Sequence, residues 1–497
     1  MSLEERPIKV SKQLKMKAQE FLTSRNTESL IDILNHFKSG YQAQCLVTLE
    51  MIFTTLLKEK QMFIEIVPLK PVENTIENQR KEWLRNVYEE FFTECLQCCE
   101  HNSYKIQTQG LCTAMSLIAW EGKYPLEPKG SLDNYVPLTK LKYVLMRILS
   151  NKQNNTHLIS KYTEYLQFDD ILFFTWKILP SLTAKCNPND VYIMNYLLFL
   201  EKLQIYPNTE TKILCGIENC APFFTFDEAS TSKCLNKVWH CVMHWEHTPQ
   251  THKQMLLVLL ERVLVHLEKP LLLTDFLMDS LDVGGPVSLL ALQGIFTMIQ
   301  THNLDYPNIF AKLYSMFEPE IFHTKYKARL FHLSDLFLSS THLPENLVAA
   351  FVKRMARLAL IAPSEDIIII CNFIGNLILR HPGLKCLLNN TESNTANTDT
   401  YVMEERDPLK SNAISSSLWE IKTLQNHVQP SVANAAKFMN SPLPSIERDL
   451  SKILDNTGDD IFDKEVKKFS KLIILQFEKP TAASFGKGDK VMQYWDL

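Results

Sequence analysis

Apolar residues recur at helical spacing along most of this chain, and no segment shows convincing strand-like alternation. Between Ser11 and Lys60, Leu14, Phe21, Leu22, Leu30, Ile33, Leu34 and Phe37 fall on recurring faces. Further helices are predicted at 83–99, 110–120, 138–149, 171–179 and 191–203, each apolar on one side and bounded by Pro, Asn or Gly. The densest pattern runs from Pro286 to Leu388. There Leu289, Leu292, Ile295, Phe296 and Ile299 recur at one helical spacing, Leu330, Leu333 and Phe337 at a second, and Leu347, Phe351, Met355 and Leu358 at a third. Pro286, Pro307 and Pro344 sit where a first helical turn tolerates a missing N–H. Ser364 reads as an N-cap ahead of Glu365 and Asp366, and Pro382-Gly383 stops that helix. Phe331, Leu336, Phe351 and Leu360 are expected in the core. Asn372 and Asn376, one turn apart in an apolar helix, require hydrogen bonds from a neighbouring helix or loop.

Short helices in succession predict an all-α protein, an irregular HEAT-like α-solenoid built from helical repeats. No strict repeat period is present, so an irregular helical bundle is the competing architecture. The expected organisation is N-terminal helical repeats over 1–280, a core helical block over 286–388 and a flexible polar insert over 389–412. A C-terminal helical block follows over 413–480, then a loose tail over 481–497. The insert is assigned on composition: it is nearly free of aliphatic residues and cannot offset its own ordering entropy.

The chain has 497 residues, 52 basic and 56 acidic, for a net charge of −4. A protein whose main task is coating nucleic acid is usually basic overall, so any RNA contact must come from a local patch or through a partner. Only 13 glycines disfavour phosphate-cradling loops, and the 12 cysteines form no disulfide framework, which fits a reducing compartment. The N-terminus lacks the apolar core of a secretory signal. The longest uncharged apolar run, Ile367 to Leu379, is well short of the ~20 residues needed to cross a bilayer, so no membrane span is expected.

Three stretches resemble one known family. NLDYPNIFAKLY, LSSTHLPENLVAAFVKRMARLAL and IGNLILRHPGL, continued by SNAISSSLWEIKTLQNHVQPSVANAAKFM from Ser411 to Met439, are similar to the core of the CCAAT-binding-factor/nucleolar-complex family. The similarity is strong over roughly 286–476 and weaker before it, and the chain lacks the long charged extensions of the sister proteins. The resemblance implies a nucleolar factor that helps assemble the small ribosomal subunit and process pre-rRNA. It also implies a nucleolar protein 14 homologue and small-subunit pre-ribosome proteins as partners.

Candidate chemistry is sparse. His240, His244 and His247 would share one helical face, but a fourth ligand and recognised pair spacing are missing, so no metal is expected. Cys95, Cys98 and Cys99 read as core packing. No GxSxG, HExxH or GxxxxGK[ST] motif is present, so neither catalysis nor a cofactor is expected. The positions favoured for partner binding are Lys325, Lys327 and Arg329 ahead of one helix, Lys353, Arg354 and Arg357 along the next, and Trp419 and Trp495. The bland alternative for the basic positions is a solvated helix face whose stems cover core edges. A non-enzymatic protein-binding scaffold is the leading expectation, a nuclear transport or trafficking adaptor the alternative. A sequence-specific DNA binder is disfavoured by the missing basic helix or zinc-finger pattern.

Overall fold

The computed structural model describes residues 5–64, 75–127, 135–207, 212–216, 224–302, 306, 308–388, 399–441, 446–472, 490 and 494, with side chains from Lys12 onward. Every regular element among the described residues is helical. The chain divides into two compact units, 1–298 and 299–497.

In the first unit, α1 (Glu5–Ser24), α2 (Thr27–Lys38) and α3 (Gln42–Lys58) pack on one another. They are followed by α4 (Ile76–Gln97), α5 (Tyr104–Lys123), α6 (Leu138–Ile148) and α7 (Thr156–Tyr162). Next come α8 (Asp169–Leu182), α9 (Asp190–Lys202), α10 (Glu228–Val242) and α11 (Pro249–Val258). The unit's last helices are α12 (Thr274–Asp282) and α13 (Gly285–His302), and the division between units falls inside α13. From α3 to α9 each helix packs on the one two places on. Helices α3, α5, α7, α9 and α11 form one row, and α4, α6, α8 and α10 a second. Two such rows, each element touching its neighbours in the series, are what an α-solenoid consists of.

Local chemistry explains the boundaries. Asn26, Asn189 and Asp227 cap α2, α9 and α10 by accepting from the N–H groups of Glu28, Tyr192 and Ser230. Gly122 lets α5 pass close to a neighbouring loop, because a Cβ there would stand 2.5 Å from the Cys215 Cβ and 2.9 Å from the Tyr135 carbonyl oxygen. The seven-residue α7 escapes sequence reading through its brevity, yet Leu158, Ile159 and Tyr162 are all buried.

The second unit contains α14 (Ile309–Ser315), α15 (Lys327–Phe337), α16 (Glu345–Ala359) and α17 (Ser364–Arg380). It continues with α18 (Trp419–Leu424), α19 (Pro430–Ala436), α20 (Leu450–Leu454) and α21 (Gly458–Leu472). Helices α16 and α17 pack together at its centre, α18 against α16, and α19, α20 and α21 against α17. A run of edge-to-face rings threads the core, with Tyr314 and Phe351 at 5.3 Å, Phe317 and Phe331 at 5.8 Å, and Phe331 and Phe373 at 6.1 Å. Phe331 and Phe351 are core as expected, whereas Leu360 ends α16 at 38% exposure. Pro363, not Ser364, takes the N-cap of α17, since its extended backbone suits that position and Ser364 is already helical.

Asn372 and Asn376 have the partners their burial demands. Asn376 donates to the Arg448 carbonyl at 2.8 Å and accepts from the Arg448 N–H at 2.9 Å, while the Arg448 guanidinium donates to Asn372. Arg380 adds a second tie to this segment by pairing with Asp335 and Glu447, each at 2.7 Å.

Candidate interaction surface

The basic residues singled out by sequence fall into two sets with different fates. Helix α16 is buried along nearly its whole circumference, from Leu347 to Ala359 with Arg357 half-buried. Its cations therefore face protein rather than water. Lys353, with no exposed side-chain surface, places its ammonium 2.8 Å from Glu420 and 2.9 Å from Asp399, and donates to the Ser417 carbonyl at 2.6 Å. Arg357 reaches the same two carboxylates, Asp399 at 2.7 Å and Glu420 at 2.6 Å. Arg354 donates to the carbonyls of Phe317 at 2.7 Å and Met403 at 3.0 Å, with its guanidinium 4.6 Å from the centre of the Tyr314 ring.

Trp419 belongs to the same cluster. Its indole N–H donates to Asp399 at 2.9 Å, and its ring lies 4.9 Å from the Arg357 guanidinium and 5.5 Å from the Lys353 ammonium. The two carboxylates respond oppositely to this setting. Burial alone would raise Asp399, but hydrogen bonds from Ser416, Trp419 and Lys353 overcome it and hold the group below the ordinary carboxylate range. At Glu420 burial outweighs Lys353 and Arg357, and its pKa is raised.

Two expectations change accordingly. Lys353 and Arg354 are structural cations, not exposed contacts, because the segment around 399–420 supplies their counterions and carbonyl acceptors. The described part of the supposed flexible insert, 399–412, is pinned by the same bonds: Tyr401 is buried with its hydroxyl 2.8 Å from that of Tyr314, and the Val402 N–H donates to the Ser411 carbonyl at 3.1 Å. Residues 389–398 lie outside the described residues.

Lys325, Lys327 and Arg329 behave differently. Lys327 pairs with Glu365 at 3.3 Å and Asp366 at 2.9 Å, tying the start of α15 to the start of α17. Lys325 and Arg329 are exposed. Trp495 lies outside the described residues. A surface that sequence reading missed is α21, where Phe462, Val466 and Phe469 stand exposed at i, i+4 and i+7. Beside them Lys464, Lys467, Lys468 and Lys471 line a 420 Å³ cavity shared with Glu365 and Ile368. The 3.6-residue period of GDDIFDKEVKKFSKL was the available signal.

The histidines do not share a helical face. Helix α10 ends at Val242, and the chain turns so that Trp245 meets Tyr196 edge-to-face at 5.3 Å and donates to the Ala184 carbonyl at 2.9 Å. His244 then bonds the His240 carbonyl at 2.6 Å and His247 the Val242 carbonyl at 3.1 Å. Among the described residues no group of three His, Cys, Asp or Glu side chains is placed to hold a metal ion, and no helix is long and apolar enough to cross a membrane. Cys95, Cys98 and Cys99 pack at the end of α4, where burial pushes the Cys99 thiol up to about 12, so it stays protonated and unreactive.

Both units match known proteins. A model of the CBF/Mak21 family matches residues 288–436, a span that includes every candidate position from Lys325 to Trp419. A second model, described as nucleolar complex protein 4-like TPR repeats, matches residues 11–187 in the first unit's solenoid. The chain is 36% identical to nucleolar complex protein 4 homolog B of Xenopus laevis over 94% of this chain and 92% of that protein. Against nucleolar complex protein 4 homolog of Gallus gallus the identity is 34%, covering 90% and 91%. Against that of Homo sapiens it is 32%, covering 92% of each.

Proposed function

The chain belongs to the nucleolar complex protein 4 family, and we propose that within the nucleolus it is a non-enzymatic scaffold for assembly of the small ribosomal subunit. A nucleolar place and a part in ribosome biogenesis come with the membership. The observation that carries the finer reading is that the kinship runs through both units, the repeat array and the block around α16 and α17, rather than through one local motif. Relatedness spread over whole packed surfaces suits a protein whose work is holding others. Its mechanism is binding by large preformed faces, with no step of covalent chemistry.

The proposed partner is a nucleolar protein 14 homologue, held mainly by the second unit. Contact falls to the groups the fold leaves outward: Lys325, Arg329, the exposed edge of Trp419, and the apolar stripe of α21 with its flanking lysines. Pre-rRNA is reached through that partner. Affinity purification of the tagged full chain tests this: small-subunit precursor factors and the nucleolar protein 14 homologue should co-purify. Recovery of importin cargoes or vesicle-coat proteins instead would overturn the scaffold reading.

A further inference from the structure

The first unit contains a groove of 840 Å³ along α6, closed by the end of α8 and the start of α9. Helix α6 is apolar on two sides. Leu141, Val144, Leu145 and Ile148 face the solenoid core, while Tyr143 and Met146, one turn apart, line the groove at 55% and 51% exposure. The walls are fixed without a ligand. Asn155 donates to the carbonyls of Arg147 and Ile148 at the end of α6, Asn189 to that of Asn151, and Tyr192 to that of Leu182.

The charge in the groove is lopsided. Lys142, Arg147 and Lys152 line it against a single carboxylate, Glu100, which is held by Arg147 at 2.5 Å and Lys152 at 2.7 Å. Lys142 has no ion-pair partner among the described residues. We infer that this groove docks an acidic segment of a partner protein, whose large apolar side chain lies between Tyr143 and Met146 and whose carboxylate meets Lys142.

A nucleic-acid strand fits less well. Phosphate backbones gain affinity from several unpaired cations in a row, and here two of the three are already committed to Glu100, which leaves Lys142 alone. The exposed apolar pair and the largely apolar groove instead reward a side chain that leaves water. Because the walls are prebuilt, docking orders mainly the incoming segment. The inference rests on the groove alone and holds whatever the second unit binds.

The test places p-benzoylphenylalanine at position 143 or 146 of the full chain, irradiates living cells, and maps the crosslinked peptide by mass spectrometry. One protein segment of net negative charge carrying a bulky apolar residue is expected from both positions. Its yield should fall about tenfold on Lys142→Glu, with the melting temperature of the full chain unchanged. If that variant melts early, Lys142→Gln replaces it, with a smaller loss expected. Crosslinks to RNA, to a basic segment, to a second copy of this chain, or none above irradiated wild type would each overturn the proposal. So would a yield indifferent to the charge change.

Discussion

Replacing Lys353 with Met tests whether the 399–420 segment is fastened from beneath. The substitution keeps the stem that packs in α16 and removes the ammonium contacts with Glu420, Asp399 and the Ser417 carbonyl. Removing one side of a buried ion pair costs about 3–5 kcal/mol, because the surviving charge is left without water. Arg357 remains beside both carboxylates, which places the loss at the lower end, about 3 kcal/mol. For a body of this size each kcal/mol moves the melting point by roughly 2–4 °C, so a fall of about 6–12 °C is expected.

Calorimetry of the full chain reads the shift, and hydrogen exchange over 399–420 assigns it to the second unit, since two units need not melt together. Pairing Lys353→Met with Glu420→Leu removes both charges and leaves an apolar pair. The double variant should cost at least about 1 kcal/mol less than the sum of the singles. A single-variant loss below about 1 kcal/mol, or strictly additive singles, would show that the network is incidental and that packing alone holds the segment.

Other expected outcomes are simpler to state. Gly122→Ala should destabilise the first unit by about 1–3 kcal/mol despite alanine's better helix propensity, because the new Cβ meets Cys215 and the Tyr135 carbonyl oxygen; thermal melting reads it. Asn376→Ala strips the Arg448 N–H and carbonyl of their partners at a cost of about 1–3 kcal/mol, with faster amide exchange at Arg448. Burial lowers His247 below its ordinary 6.5, and burial together with His247 lowers His252. Both therefore favour the fold fully above about pH 6.5, and that stability is lost as pH falls through their lowered folded values. The first unit's melting point should drop over that window, and His252→Asn should flatten the drop. Lys325→Glu should weaken capture of the nucleolar protein 14 homologue with melting unchanged, where Arg354→Glu would melt the unit early because its guanidinium is held by two backbone carbonyls.

Helix placement was legible from spacing because each helix needs only its own apolar face to declare itself. The pairs α8 and α9, or α16 and α17, follow from period alone. What spacing cannot report is which faces are covered twice. KRMAR in α16 reads as a charged edge until the preceding Val348, Ala349 and Ala350 and the intervening Met355 and Ala356 are seen to be buried as well. A helix buried on nearly every side has no wet face for its lysine, however amphipathic its sequence. The counterions then had to come from Asp399 and Glu420, which are 42 and more residues away along the chain and carry no local sign of that role. The Asn372 and Asn376 requirement was legible for the opposite reason, since an uncharged polar pair in an apolar run states its own need.

The polar stretch after 389 shows why a composition argument can fail locally. Its described part lacks the aliphatic surface to order itself, but it does not have to. Helix α16 contributes the cations and Tyr314 a ring and hydroxyl, so ordering is offset by bonds whose other half lies in an already folded core. Charge thereby sorts into two roles. Lys353, Arg354 and Arg357, met by carboxylates and carbonyls inside the unit, fix its shape, while Lys325 stands exposed. The proposed scaffold role would gain from that division, because a surface held rigid from within loses little of its binding free energy to ordering itself.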